Sequence, residues 1–150
     1  MATSIFFDAL SLGGGTWQYR YWVSDYTFNT NDGFTIYFEY GLYENIIPVS
    51  DSTDWDEISW EPDPLLGAGA FDALALTDGA SLAQPFIVRF NWLGTGTPLD
   101  FIQNFERYNL YPFQILETGT TVPVPEPSII SLLGLGIASM GIFYRKIKKL

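Results

Sequence analysis

The stretch DSTDWDEISWEPDP, residues 51–64, holds the densest set of side chains that could do chemistry. Asp51, Asp54 and Asp56 bring hard oxygen donors together in one loop, and calcium is the ion that prefers them. With Glu57 the carboxylates fall at offsets 0, 3, 5 and 6, without the spacing or the turn glycine of an EF-hand. Calcium through Asp51, Asp54 and Asp56 is the one metal the sequence offers, and no other cofactor is expected. Paired carboxylates also hydrolyse glycosides, and Asp54 with Asp56, flanked by Asp51 and Glu57, would form such a pair. The competing reading is a solvated turn in a very acidic protein, and no enzyme is expected. Trp22, Trp55 and Trp60 offer flat faces that would stack on sugar rings if exposed. Trp17 and Trp92 fall on apolar strand faces and read as core.

Absences narrow the chemistry further. The 150 residues contain neither histidine nor cysteine. Ser-His-Asp and Cys-His nucleophiles are therefore excluded, along with thiolate metal sites and disulfides. The glycines of LGTGT at 93–97 have no lysine after them and read as a turn rather than a phosphate loop. Residues 1–128 carry three arginines against all 17 carboxylates, a net charge of −14, and no lysine precedes Lys146. Such a surface repels phosphate backbones, so no nucleic-acid partner is expected.

Around these candidates the chain reads as strands. In GTWQYRYWVS, Trp17, Tyr19, Tyr21 and Val23 share one face, and Gln18, Arg20, Trp22 and Ser24 share the other. Phe34, Ile36, Phe38 and Tyr40 alternate with Thr35, Tyr37 and Glu39, and Phe86, Val88, Phe90 and Trp92 with Ile87, Arg89 and Asn91. The Asp-Gly pair in NTNDG, residues 29–33, predicts a turn that folds 16–40 into a hairpin. Shorter strands are expected at 4–12, 57–61, 70–76, 101–106 and 112–117, and no helical stripe precedes residue 128. FDALSL at 7–12 and FDALAL at 71–76 echo each other; strands of like pattern in two sheets would produce the same echo. Short strands between Gly, Pro and Asp turns predict an antiparallel β-sandwich or jelly-roll-like body over 1–117. The region 41–70 is the least regular. TGTTVPVPEP, residues 118–127, turns to Pro and Thr and reads as an extended linker.

The segment 128–150 has another character. From Ile129 to Tyr144 the chain is uncharged, with Leu132, Leu133, Leu135, Ile137, Met140, Ile142 and Phe143 supplying bulk among small residues. A buried core helix needs only one apolar stripe, whereas this run is apolar or small on all sides. As a helix it would reach about 24 Å, which Ser128 and snorkelling lysines extend toward the ~30 Å hydrocarbon core. Arg145, Lys146, Lys148 and Lys149 follow, the anchor that the positive-inside rule places in the cytoplasm. The reading is a single C-terminal transmembrane helix with inner-membrane lipid as its partner.

Val124, Pro125, Glu126, Pro127 and Ser128, then a glycine-containing apolar run, then a terminal basic cluster, resemble the PEP-CTERM sorting domain of exopolysaccharide-forming bacteria. That resemblance covers residues 123–150. It implies an exported protein held in the inner membrane with its C-terminus cytoplasmic. It also implies an exosortase as partner, cleavage near Pro125–Pro127, and a final place at the cell surface or outside the cell. The start, MATSIFFDALSLGGG, has no cation, and its IFF is stopped by Asp8. An export signal is therefore expected upstream of Met1. The function expected of the body is structural or adhesive. The alternative is a carbohydrate-binding module acting on the exopolysaccharide matrix.

Overall fold

A computed structural model describes residues 2–125. They form ten strands: β1 Ser4–Gly13, β2 Thr16–Ser24, β3 Asp32–Phe38, β4 Tyr43–Pro48, β5 Trp55–Trp60, β6 Gly69–Ala75, β7 Phe86–Trp92, β8 Asn104–Leu110, β9 Phe113–Thr120 and β10 Val122–Pro123. Among the described residues the helical element is a 3-10 turn, Pro98–Asp100. One sheet has the order β10-β1-β2-β7-β4 and the other β5-β6-β3-β8-β9. All pairings are antiparallel except β1 with β10. The expected sandwich is present.

The alternating faces form its inside. Tyr19, Tyr21, Phe34, Ile36, Phe38, Val88 and Phe90 are fully buried, whereas Tyr40 lies beyond the end of β3 and is 55% exposed. Aromatic rings fill the space between the sheets in tilted and edge-to-face contacts. Tyr19 lies 4.5 Å from Phe90, and Phe34 lies 5.0 Å from Phe86 between ring centroids. Such pairs add about 0.5–1.5 kcal/mol each to the gain from area burial. The buried tyrosines also carry hydroxyls that need partners. Tyr19 donates to the Pro98 carbonyl at 2.7 Å and exchanges a bond with Tyr43, while Tyr21 donates to Gln103 Oε1 at 2.5 Å. The segment 98–103, which has no sheet partner, is thereby tied to the core.

The expected hairpin over 16–40 does not form. β2 pairs with β1 and β7, whereas β3 pairs with β6 and β8 in the other sheet. Asp32-Gly33 begins β3 instead of turning the chain. The Asp32 carboxylate accepts from Asn29 N–H at 2.9 Å and from Asn109 Nδ2 at 2.9 Å, so it caps the crossing loop. Phe28 in that loop is fully buried. Gly33 is needed for a different reason. A Cβ there would come within 2.5 Å of the Tyr108 ring, which lies across it. The echo strands sit in opposite sheets, with Phe7 and Phe71 both inward.

Three other boundaries move. β4 lies in the region read as irregular, because a bulge between Glu44 and Ile47 breaks its alternation. The strand expected at 101–106 begins only at Asn104. The linker expected at 118–127 starts too early, since β9 continues to Thr120 and β10 follows at once. Glu117 inside β9 takes bonds from Thr3 N–H and Oγ1, both at 2.7 Å, and from Arg107 Nε at 3.0 Å. This clasp joins the start of the chain to the second sheet. The expected span, the basic anchor and the motif from Glu126 onward lie outside the described residues.

Candidate functional site

The acidic stretch does most of its work inside the fold. Glu61 accepts from the backbone N–H groups of Asn45 and Ile46 at 2.8 and 2.6 Å, filling the bulge of β4. Ser59 donates to the Ile46 carbonyl at 2.7 Å, and Ser50 donates to Glu57. Inward-facing side chains of β5 thus stitch the open side between β4 and β5 with polar bonds. Asp54 accepts from Ser81 N–H at 2.9 Å, and Asp63 caps Leu65 and Leu66.

The three aspartates expected to hold calcium are not brought together. Asp54 is bonded to Ser81, Asp51 is exposed beside a cleft, and Asp56 points to the outer face of β5. Among the described residues no group of three carboxylates is placed to hold a metal ion. The Asp54/Asp56 pair is split the same way. Over Glu57 lies a cleft of about 310 Å³, lined by Ser50, Asp51, Trp55, Gln84 and Phe86. Glu57 Oε1 is buried there without a partner among the described residues. Burial raises the Glu57 carboxyl above its ordinary range against the bond from Ser50, and the charge of Asp51 adds to the rise.

The expected tryptophan platform is also dispersed. Trp55 is a core residue, 5% exposed, wedged between Phe28, Phe34 and Phe86. Its indole N–H donates to the Ser81 carbonyl at 2.9 Å. Trp22 lies on the first sheet with the Arg20 guanidinium 5.3 Å above its ring, and Trp60 is exposed on the edge strand of the second. Trp17 and Trp92 pack against the core as their strand faces require.

A second cleft, of about 400 Å³, was not legible in the sequence. It opens where β3 runs out between the starts of β6 and β8, with Tyr37, Glu39, Tyr40, Phe101, Ile102 and Asn104 around it. Tyr43 and Gln103 line it as well; both are nearly inaccessible, at 3% and 4%. These residues come from segments some sixty positions apart, so no local pattern announces the site.

The chain leaves the sandwich beside the Gln103 segment. Thr121 is buried, its N–H donating to the Gln103 carbonyl at 2.8 Å and its Oγ1 accepting from Gln103 N–H at 2.9 Å. Val122 and Pro123 then pair with Phe6 and Phe7, and Val124 N–H donates to the Phe7 carbonyl at 2.8 Å. Pro123 is tolerated here because β10 is a two-residue strand at the sheet edge, where a missing N–H breaks no interior ladder.

The family model of the PEP-CTERM protein-sorting motif matches residues 123–149. These residues are a PEP-CTERM protein-sorting motif. No curated protein and no solved structure matches the chain. The motif supports export to the cell envelope or surface and sorting by an exosortase. Its first two residues, Pro123 and Val124, belong to the sandwich as well as to the motif, so body and signal share backbone. Sequence reasoning found the motif through Val124–Ser128 and the apolar run and basic cluster that follow. It missed Thr121 and Gln103, whose mutual bonds hold the chain just before the motif. Among the described residues no helix is long and apolar enough to cross a membrane.

Proposed function

We propose that this chain is an exported surface or extracellular-matrix protein of structural or adhesive type. Before processing, Ile129–Tyr144 spans the inner membrane and Arg145–Lys149 lies in the cytoplasm. An exosortase then acts near Pro125–Pro127, and the body passes to the cell surface or into an exopolysaccharide matrix. The observation that carries this reading is the sorting motif at 123–149, whose first residues are already paired to the sandwich. The body has no catalytic role in this reading. The carboxylates that could have served as an acid–base pair are split, one holding backbone and one facing outward. Sugar binding through Trp22, Trp55 and Trp60 gains no support from their separation.

Orientation tests it. A reporter fused after Leu150 of the full-length protein is expected to be active only as a cytoplasmic fusion. Replacing Arg145, Lys146, Lys148 and Lys149 together by Gln is expected to weaken retention or scramble topology, because lysine and arginine set orientation. A reporter active in the periplasm with all four cations present would overturn the assignment.

A further inference from the structure

The cleft at the end of β3 has the features of a built binding site. Its volume of about 400 Å³ lies within the range of small-molecule sites, about 300–1,000 Å³. Its floor is fixed before any ligand arrives. Tyr43 shares a hydroxyl bond with Tyr19 at 2.9 Å, and Gln103 accepts from Tyr21 while its Nε2 donates to the Tyr37 carbonyl at 3.3 Å. Preorganisation of this kind removes part of the ordering cost of binding. The rim differs from the floor. Tyr40 is 55% and Ile102 60% exposed, although neither contributes to the core. The side chains of Glu39, Tyr40 and Asn104 make no hydrogen bond to any described residue.

Those free groups define the ligand. Glu39 can only accept, Asn104 can donate and accept, and the Tyr40 hydroxyl can do both. The aromatic faces of Tyr37, Tyr40 and Phe101 supply flat apolar area beside them. A pyranose ring has the matching pattern, with a C–H face for the rings and hydroxyls that both donate and accept. Among the described residues no cationic side chain lines the cleft, and the residues before the tail carry a net charge of −14, so anionic ligands are repelled. An acyl chain would leave Glu39 and Asn104 without use.

We infer that the cleft formed by Tyr37, Tyr40, Phe101, Glu39 and Asn104 binds a neutral oligosaccharide. The sugar stacks on Tyr40 and Phe101, and its hydroxyls donate to Glu39 and pair with Asn104. This goes beyond the surface-protein reading and does not depend on it, because binding is measured on the purified chain and sorting in cells.

The test uses the full-length chain in a detergent without a sugar headgroup, titrated separately with cellohexaose, mannohexaose and maltohexaose. Calorimetry gives affinity, and the indole N–H resonances locate the site. Trp92 packs 4.9 Å from Phe101, whereas Trp55 packs on Phe86 at the opposite end of β7. At least one hexasaccharide is expected to bind and to shift Trp92 but not Trp55. Tyr40→Ala is expected to weaken binding by about tenfold or more, the loss of one good contact. Asn104→Ala should weaken it roughly fivefold, the value of one hydrogen bond. Both side chains are exposed, so the thermal midpoint should stay unchanged and report that the fold is intact. The inference is overturned if none of the three sugars binds at millimolar concentration, or if Tyr40→Ala binds as the parent does. Binding of tetramethylammonium or of an oligogalacturonate in place of the neutral sugars would overturn it as well.

Discussion

A chain ended after Pro125 is expected to fold cooperatively and stay soluble, whereas one ended after Thr120 is expected to be clearly less stable. The first keeps Thr121, β10 and the bond from Val124 to Phe7. The second leaves the N–H and C=O of Gln103 without their partners at 2.9 and 2.8 Å and strips the short strand from β1. A buried polar group left unpaired costs about 1–3 kcal/mol, and water entering the vacated edge softens that cost. The expected loss is about 2–4 kcal/mol, a large share of the 5–15 kcal/mol typical of a domain. Thermal unfolding followed by tryptophan fluorescence should show a midpoint roughly 8–15 °C lower. Equal midpoints would mean that β10 contributes nothing. An insoluble 1–125 fragment, rescued only by the tail, would make the apolar run part of the core and remove the anchor reading.

Tyr19→Ala should produce the largest loss from a single substitution. Its ring is fully buried and touches Phe7, Tyr21, Phe38, Tyr43 and Phe90, with centroids 4.5–6.3 Å away. Removing a buried aromatic ring costs about 3–5 kcal/mol, because the surroundings collapse only in part. The substitution also orphans the Pro98 carbonyl and deprives the Tyr43 hydroxyl of its partner. Tyr19→Phe isolates that polar component, since the ring stays and only the hydroxyl leaves, at about 1–3 kcal/mol for the groups left unpaired. Urea denaturation of both variants separates ring packing from the tether to segment 98–103. A Phe variant as unstable as the Ala variant would mean that the hydroxyl bonds, and not the aromatic packing, hold this corner.

Periodicity made the inward faces legible. Tyr19, Tyr21 and Val23, then Phe34, Ile36 and Phe38, then Phe86, Val88 and Phe90 all point where alternation sends them. Pairing was not legible, because partners are chosen by contacts distant in sequence. Asp32-Gly33 looks like a turn locally, yet Asp32 caps a loop and Gly33 makes room for Tyr108, seventy-five residues away. The acidic stretch misled in the opposite direction. Its carboxylates Glu61, Glu57 and Asp54 are used one by one on backbone N–H groups and a serine hydroxyl, while Asp51 and Asp56 face outward, which no spacing rule anticipates. Composition set the tail apart in kind, and it drew the linker's border at 118, inside β9, because Thr and Pro resemble a linker. Thr121 is instead one of the most buried residues in the body.

The central claim is that residues 123–149 act as a sorting signal on a sandwich whose last described strand ends at Pro123. Mass spectrometry of the C-terminal peptide tests it most directly, on protein recovered from cells that contain an exosortase and from an otherwise identical strain that lacks it. The account predicts a new C-terminus at or beside Pro125–Pro127 in the first strain and an intact Leu150 in the second. Leu150 retained in both strains, or a cut within β9, would contradict it.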